Sequence, residues 1–505
     1  RHQDFHFQIR AESLGLADAV GKVLSAAVAQ VVTVNRGDDD VFEFQVRNGN
    51  RQVLRLVDIQ CFRAAMADAN GADLEQFERW YGQAGTPQLH ASGEWADGRY
   101  TLTLKQSGPA SLGDEPYRLR HIPVGFGLLG PDGQDLIGTR MLELREAEQS
   151  FVFEGIDQKP VPSVLRGFSA PVELTMEQSS EELAFLMAHD SDAFNRWEAG
   201  QRFATRDLLR MVGELDAGRD AQLDASFVHS WGGILNDDQL DGSLKSLALA
   251  LPDERVLGQA MEVVAVDAIH QARVQAMATL GQAHHDALLT AHQANLGHDY
   301  DASAASIARR RLANTALAYL CAADPEAGTK LARAQFEAAN NMSDRQAALV
   351  CLCELGGPAR DRALAAFFEQ WKEDPLVLDK WFAVQAQAAA ADSLDAILAL
   401  GEHPNFDRKN PNRARAVLST FGMRNQLHFH SADGRGYQFL ADEVIAIDQL
   451  NPQVAARIVA GFNQWTRFDA GRQALQRTQL ERIAAAGTLS KDVGEIVGRA
   501  LAMKS

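Results

Sequence analysis

Cysteine is scarce in this sequence, at four residues in 505. They are Cys61, Cys321, Cys351 and Cys353, and the nearest pair is separated by a single residue, too tight for an ordinary disulfide. That excludes a disulfide scaffold and reads as a reducing, cytoplasmic protein. Positive charge is also short, since 49 Lys and Arg against 67 Asp and Glu leave a formal net charge of −18. Such a balance repels phosphate backbones and anionic headgroups, which argues against nucleic acid and membrane surfaces as partners. Long apolar runs are missing as well. The stretch Val23 to Val34 contains Ser25, Gln30 and Thr33 and falls short of the roughly 18–20 residues a bilayer crossing needs. No signal peptide is visible. The chain opens on Arg1 instead of Met, which points to a processed product or a piece of a longer reading frame.

With 46% hydrophobic and 23% charged residues, the composition is that of a globular protein, and its length leaves room for two to four domains of about 100–200 residues. Pattern separates four zones. Residues 1–60 stay unassigned, with an alternating stretch from Val41 to Val46 that favours short strands. Residues 61–86 hold apolar positions at helical spacing, broken at Asn70-Gly71 into two short helices. Over residues 87–179 the period changes to two. Tyr100, Leu102 and Leu104 point one way after an Ala96-Asp97-Gly98 turn, which is a hairpin. Further strands are expected at His121 to Leu129, Ser150 to Phe153 and Pro171 to Leu174. Together they predict a small Ig-like β-sandwich.

From Ser180 to Ser505 the pattern is helical almost throughout. Trp197, Ala204, Leu208, Met211 and Leu215 form one apolar stripe. Asp374-Pro375, Asn410-Pro411 and Asn451-Pro452 read as helix starts, with a capping side chain followed by proline in the first turn. So many amphipathic helices exceed one bundle and predict a large all-α superhelical domain, an ARM-like solenoid. The fold class is thus multidomain α+β.

A search for catalytic constellations returns little. The sequence has no HExxH, no GxxxxGK[ST], no GxSxG and no paired CxxC. Cys351 and Cys353 sit in an apolar helical run, where packed thiols are favoured over a metal site. His285 and His292 lie two turns apart on one helix face, too far to share a metal unaided, and the dense region His284 to His298 reads as solvated or core-edge. His428-Phe429-His430 has strand-like spacing for a metal pair, but no further ligand completes it. Gln453 and Arg457 are four apart in the helix opened by Asn451-Pro452, and Arg415 stands just inside the helix opened by Asn410-Pro411. An arginine near a helix N-terminus opposes the dipole. It points either to an outside anionic partner or, more blandly, to a salt bridge with a neighbouring helix.

Several stretches together resemble bacterial aminopeptidase N, a zinc metallopeptidase family. Phe62-Arg63-Ala64-Ala65-Met66 and Phe77 to Pro87 are similar to the end of its catalytic domain, and His121-Ile122-Pro123-Val124, Pro160-Val161-Pro162-Ser163 and Phe168-Ser169-Ala170-Pro171-Val172 to its β-sandwich. Phe336 to Asp344, Asp379-Lys380-Trp381-Phe382, Asn410-Pro411-Asn412-Arg413, Asp433-Gly434-Arg435-Gly436-Tyr437 and Asn451 to Arg457 continue the likeness through the helical part.

The resemblance implies the C-terminal portion of an enzyme that removes N-terminal residues from peptides. In that family zinc is held by an HExxH-type helix and a later Glu. Those residues are not in this chain, so no catalytic residue and no metal ligand is assigned, and the chain is expected to be inactive alone. The β-sandwich and helical domain of the family close over the catalytic domain. By resemblance Arg415, Gln453 and Arg457 line the substrate cavity, with peptides and the missing catalytic half as partners. Residues 1–60 do not resemble the family. A disturbed reading frame is favoured for them over a divergent extension or a fused segment, because a boundary inside a packed domain would strand Phe62, Phe77 and Trp80. Such a segment is not expected to fold stably. The rival reading is a non-catalytic solenoid that binds peptide or protein in its concave face.

Overall fold

The computed structural model describes residues 30–36, 42–47, 59–109, 116–487 and 489–503. Two compact units divide between Gln178 and Ser179. In the first, strands β1 (Gln30–Arg36) and β2 (Phe42–Arg47) pair antiparallel, with Asn35 opposite Glu43. The alternation read after Val41 therefore does make a strand. The rest of residues 1–58 lies outside the described residues, as does the expectation about its folding.

The helix Ile59–Asn70 ends where Asn70-Gly71 was expected to break it, and Gly71 takes φ 60, a left-handed value that suits glycine. The second expected helix shrinks to the single turn Arg79–Gly82. Its Trp80 is not stranded. The ring packs against the sandwich core, its Nε1 donates to the His121 carbonyl at 2.9 Å, and the Arg120 guanidinium lies 4.8 Å from the ring centroid.

Strands β3 (Gln88–Ala96) and β4 (Arg99–Ser107) form the expected hairpin, turned by Asp97 and Gly98 at positive φ. They are followed by β5 (Ile122–Leu129), β6 (Asp135–Leu144), β7 (Glu148–Glu154), β8 (Val161–Val164) and β9 (Glu173–Met176). One sheet runs β7-β4-β3-β9 and the other β6-β5-β8. Their inner faces share one core, in which Tyr100, Leu102 and Leu104 meet Ile122, Val124 and Phe126, and Phe126 stacks on Phe153 at 4.9 Å. Period-two patterning places these side chains inside because alternate residues of a strand face opposite sides.

The second unit is helical. Its first helix, Ser180–His189, opens with a capping box in which Ser179 and Glu182 each satisfy the other's backbone N–H. Helices close in sequence pack on one another, for example Pro325–Ala338 against Met342–Leu355. Asp374, Asn410 and Asn451 cap their helices as expected, each accepting from backbone N–H groups of the first turn with proline next in sequence. Of the stripe along Ala193–Asp216, Ala204, Leu208 and Met211 are buried, while Trp197 and Leu215 are half-buried. A nearest-neighbour solenoid would have only local contacts. Here the stack also bonds back on itself. Val264 N donates to the Arg467 carbonyl at 2.8 Å, and Arg467 donates to the carbonyls of Gly258 and Gln259.

Candidate functional site

Gln453 and Arg457 lie on the short helix Pro452–Val459. Asn451 caps it through Val454 N at 3.3 Å, and Val454, Ala455, Ile458 and Val459 turn into the core. Spacing of four then sends Gln453 and Arg457 to the opposite, exposed face. Neither has a hydrogen-bond or ion-pair partner among the described residues. Contrary to the expectation from the sequence, the helix dipole does not disfavour Arg457. Because the helix is 8 residues long, Arg457 falls in its last turn, where the dipole favours a cation.

Arg415 is also exposed, but it is not free. Its Nε donates to the Pro411 carbonyl at 3.1 Å and its Nη2 to Asn412 Oδ1 at 2.5 Å. The expected alternative, a salt bridge to a neighbouring helix, is not what holds it. The residue starts a π-helical turn, Arg415–Ser419, between α-helical Pro411–Ala414 and Thr420–Arg424. Wide turns of this kind are frequent at functional sites. This segment packs against Pro452–Val459, so the elements carrying all three residues are neighbours.

Arg413, two residues before Arg415, is given no role of its own by sequence spacing. It is 5% exposed, donates from Nε to Asp379 and lies 4.8 Å from the centre of the Phe382 ring. Two stretches singled out separately, Asp379 to Phe382 and Asn410 to Arg413, are thus one buried ion pair and cation–π contact. Asp433 accepts from Ser431 Oγ and Arg435 Nε, both at 2.7 Å. The serine bond, then the arginine, hold its carboxyl down at about 2.

His292, His428 and His430 are buried and bonded within the fold. His292 is buried and its Nε2 donates to Gln335 Oε1 at 3.0 Å, while Gln335 Nε2 donates to Asn314 Oδ1 and the Asp344 carbonyl. Burial pushes the imidazole below its ordinary value. His285 is exposed beside Asp286. The strand-like reading of His428 to His430 is wrong. Asn425 caps a helical turn, Gln426–Phe429, and the two rings part: His428 Nε2 bonds the Ala390 carbonyl at 2.9 Å, and His430 Nδ1 pairs with the Tyr437 hydroxyl at 2.8 Å. Cys351 and Cys353 are packed thiols, and burial pushes Cys353 up to about 12. Among the described residues no three His, Cys, Asp or Glu side chains gather as a metal ion requires, so zinc finds no fitting ligand set in them. None of their helices is long and apolar enough to cross a membrane.

Residues 180–502 match a domain of unknown function built of ARM repeats (DUF3458_C), and residues 85–177 match its companion with an Ig-like fold (DUF3458). Aminopeptidase N of Caulobacter vibrioides is 40% identical over 451 residues, 88% of this chain and 51% of that protein. Aminopeptidase N of Haemophilus influenzae is 35% identical and that of Escherichia coli 33%, over 51% and 52% of their lengths. The chain spans about half the length of these relatives. A crystal structure of Legionella pneumophila aminopeptidase A in complex with aspartic acid superposes with a TM-score of 0.77 at 27% identity, covering 96% of this chain and 54% of that one. With most of its length matched, the chain belongs to the family of the ARM-repeat domain DUF3458_C, and its likeness is to the C-terminal portion of bacterial aminopeptidase N.

Proposed function

We propose that this chain is the C-terminal part of a zinc-dependent aminopeptidase that removes N-terminal residues from peptides, and that it caps the active site and shapes the substrate cavity. The observation that carries the reading is the 33–40% identity to three bacterial aminopeptidases N over about half their length. In this reading residues 61–86 are the end of the catalytic domain, 87–179 the β-sandwich and 180–505 the helical cap, with 1–60 unassigned. Zinc belongs to the catalytic half, where it would activate the attacking water. The chain's own contribution is binding. Arg457 would donate to a backbone carbonyl or the terminal carboxylate of a short peptide, and Gln453, with both donor and acceptor, would satisfy a peptide amide. Arg415, tied to its own first turn, would present a fixed positive charge beside them. Three buried free thiols support a reducing compartment, the cytoplasm.

The test is reconstitution. The chain is co-expressed with the segment of Caulobacter vibrioides aminopeptidase N that precedes the match, zinc is supplied, and hydrolysis of alanine p-nitroanilide is followed. Copurification with activity, and none from the chain alone, is the expected result. Absence of both copurification and activity sinks the proposal, as does hydrolysis by the isolated chain. Capture of a defined peptide by the isolated chain, with no association with the catalytic segment, would favour a stand-alone binding solenoid.

A further inference from the structure

Several arginines in the helical unit are matched by acids. Arg196 pairs with Asp237, Arg360 with Asp392, Arg408 with Glu443 and Arg435 with Asp433. Arg273, Arg310 and Arg311 differ. None has an ion pair among the described residues, and all three line one cavity of about 640 Å³. In a chain of net charge −18, three cations around one cavity without a lining acid are an arrangement to be explained.

The cavity follows from helix geometry. On Ala304–Ala323, residues Ile307, Arg310, Arg311, Asn314 and Thr315 recur at spacings of three and four and form one stripe. Arg273 and Met277, four apart on Val266–Ala283, face it, and the helix Gly242–Leu249 packs alongside. The floor is fixed. The Tyr319 hydroxyl donates to the Leu249 carbonyl at 2.5 Å, and Trp231 Nε1 donates to the same oxygen at 3.0 Å. Two of the cations are held in place by neutral groups. Arg273 Nε donates to the Pro252 carbonyl at 3.0 Å, and Arg310 donates to the Asp301 carbonyl and to Ser306 Oγ while stacking 4.9 Å from the centre of the Tyr300 ring. Arg311 makes no bond at all among the described residues. The acids nearby are otherwise engaged or outside the lining. Asp344 accepts from Asn314 and Asn341, and Glu354 and Asp301 lie within electrostatic reach of Arg273 and Arg310 but do not line the cavity.

We propose that this cavity binds a small carboxylate on an aliphatic body, such as the free C-terminal end of an amino acid or short peptide. Its volume suits a ligand of that size. The guanidinium of Arg311, with those of Arg310 and Arg273, matches a planar carboxylate. The hydroxyls of Ser246 and Thr315 offer further bonds, and Leu251, Met277 and Ile307 give an apolar wall that bare phosphate would leave unused.

Isothermal titration of the full chain with N-acetyl-L-leucine, its neutral amide N-acetyl-L-leucinamide and inorganic phosphate tests the proposal. The acid is expected to saturate one site, with the amide and phosphate about tenfold weaker or more. Arg311→Ala, an exposed and unpartnered position whose loss should leave the melting temperature unchanged, is expected to weaken the acid about five- to tenfold and leave the amide unaltered. Arg310→Gln should weaken the acid in the same direction, and Arg219→Ala, an exposed arginine outside the cavity lining, should not affect it. Equal affinity for acid and amide, phosphate binding as tight as the acid, no saturable binding, or loss through Arg219→Ala with Arg311→Ala silent would each overturn the assignment.

Discussion

Arg472 Nη2 donates to Asp267 Oδ2 at 2.7 Å, joining positions 205 residues apart in the chain. The same guanidinium donates to Asp469 Oδ2 at 2.9 Å and to the His430 carbonyl at 2.6 Å, and its side chain is 12% exposed. It fastens the start of the helix Ala470–Ala484 to the helix Val266–Ala283. The three bonds are not equivalent. Asp267 is largely exposed, so solvent screens that pair, and Asp267→Asn should cost under about 1 kcal/mol. Arg472→Ala removes all three and leaves the His430 carbonyl without its donor, at about 2–3 kcal/mol. Urea unfolding of both variants measures the difference; equal losses would refute the ranking.

His430 sits 3% exposed between the Tyr437 hydroxyl and Phe468, whose ring stacks on it at 4.1 Å. Burial, and then the charge of Arg472, push its imidazole down to about 3, far below the unfolded value near 6.5. Above pH 6.5 both states are neutral there and the residue adds no pH dependence. As pH falls below 6.5 the unfolded chain takes a proton that the folded one refuses, so stability drops until about pH 3, by at most about 1.4 kcal/mol per pH unit. His270 runs the other way. Its bond to Glu254 at 2.7 Å raises the imidazole, giving stability that is present below pH 6.5 and lost as pH rises through the folded value. His430→Gln should therefore flatten the fall in stability between pH 6.5 and 4. Parallel curves for the variant and the parent chain over that range would show the assignment to be wrong.

The features legible in the sequence were local. Alternation around Leu102 revealed a strand because a buried face recurs every second residue, and Asn451-Pro452 revealed a helix start because cap and first turn are adjacent in sequence. Arg413 with Asp379, and His292 with Gln335, stayed hidden because their partners lie 34 and 43 residues away at no periodic spacing. Arg457 was misjudged for a different reason. Where its helix stops depends on Ala460 to Phe462 tightening into a 3-10 turn, which no pattern in the sequence signals. His428 and His430 looked strand-like because the Asn425 cap, which also donates to the Ala386 and Ala388 carbonyls, acts through tertiary contacts.

In the sandwich, Arg166 is 2% exposed and bonds Asp135 through both terminal guanidinium nitrogens, at 2.8 and 3.0 Å. It fits there because β5 carries Gly125 and Gly127 beneath it. A methyl carbon at Gly127 would run into the guanidinium, and one at Gly125 would come within 2.5 Å of the Arg166 carbonyl. Gly127→Ala should destabilise the sandwich by about 1–3 kcal/mol through overpacking. Gly138→Ala, on the neighbouring strand with open space around it, is the control and should change little. Indistinguishable denaturation midpoints for the two variants would remove the close-approach explanation.

Gln453 and Arg457 face solvent, so truncating them should leave stability within about 0.5 kcal/mol. Function separates a binding role from a decorative one. If Arg457 holds a carbonyl or carboxylate of the peptide equally in the ground and transition states, Arg457→Ala in the reconstituted enzyme raises KM and leaves kcat nearly intact. One charge-assisted bond is worth about 1.5–3 kcal/mol, which predicts a loss of roughly 10- to 100-fold in kcat/KM. Arg457→Lys should recover part of it, since the charge returns without the planar fork. A fall in kcat at constant KM would place the residue in transition-state stabilisation instead, and unchanged kinetics with Gln453→Ala and Arg457→Ala combined would remove this helix face from the substrate cavity.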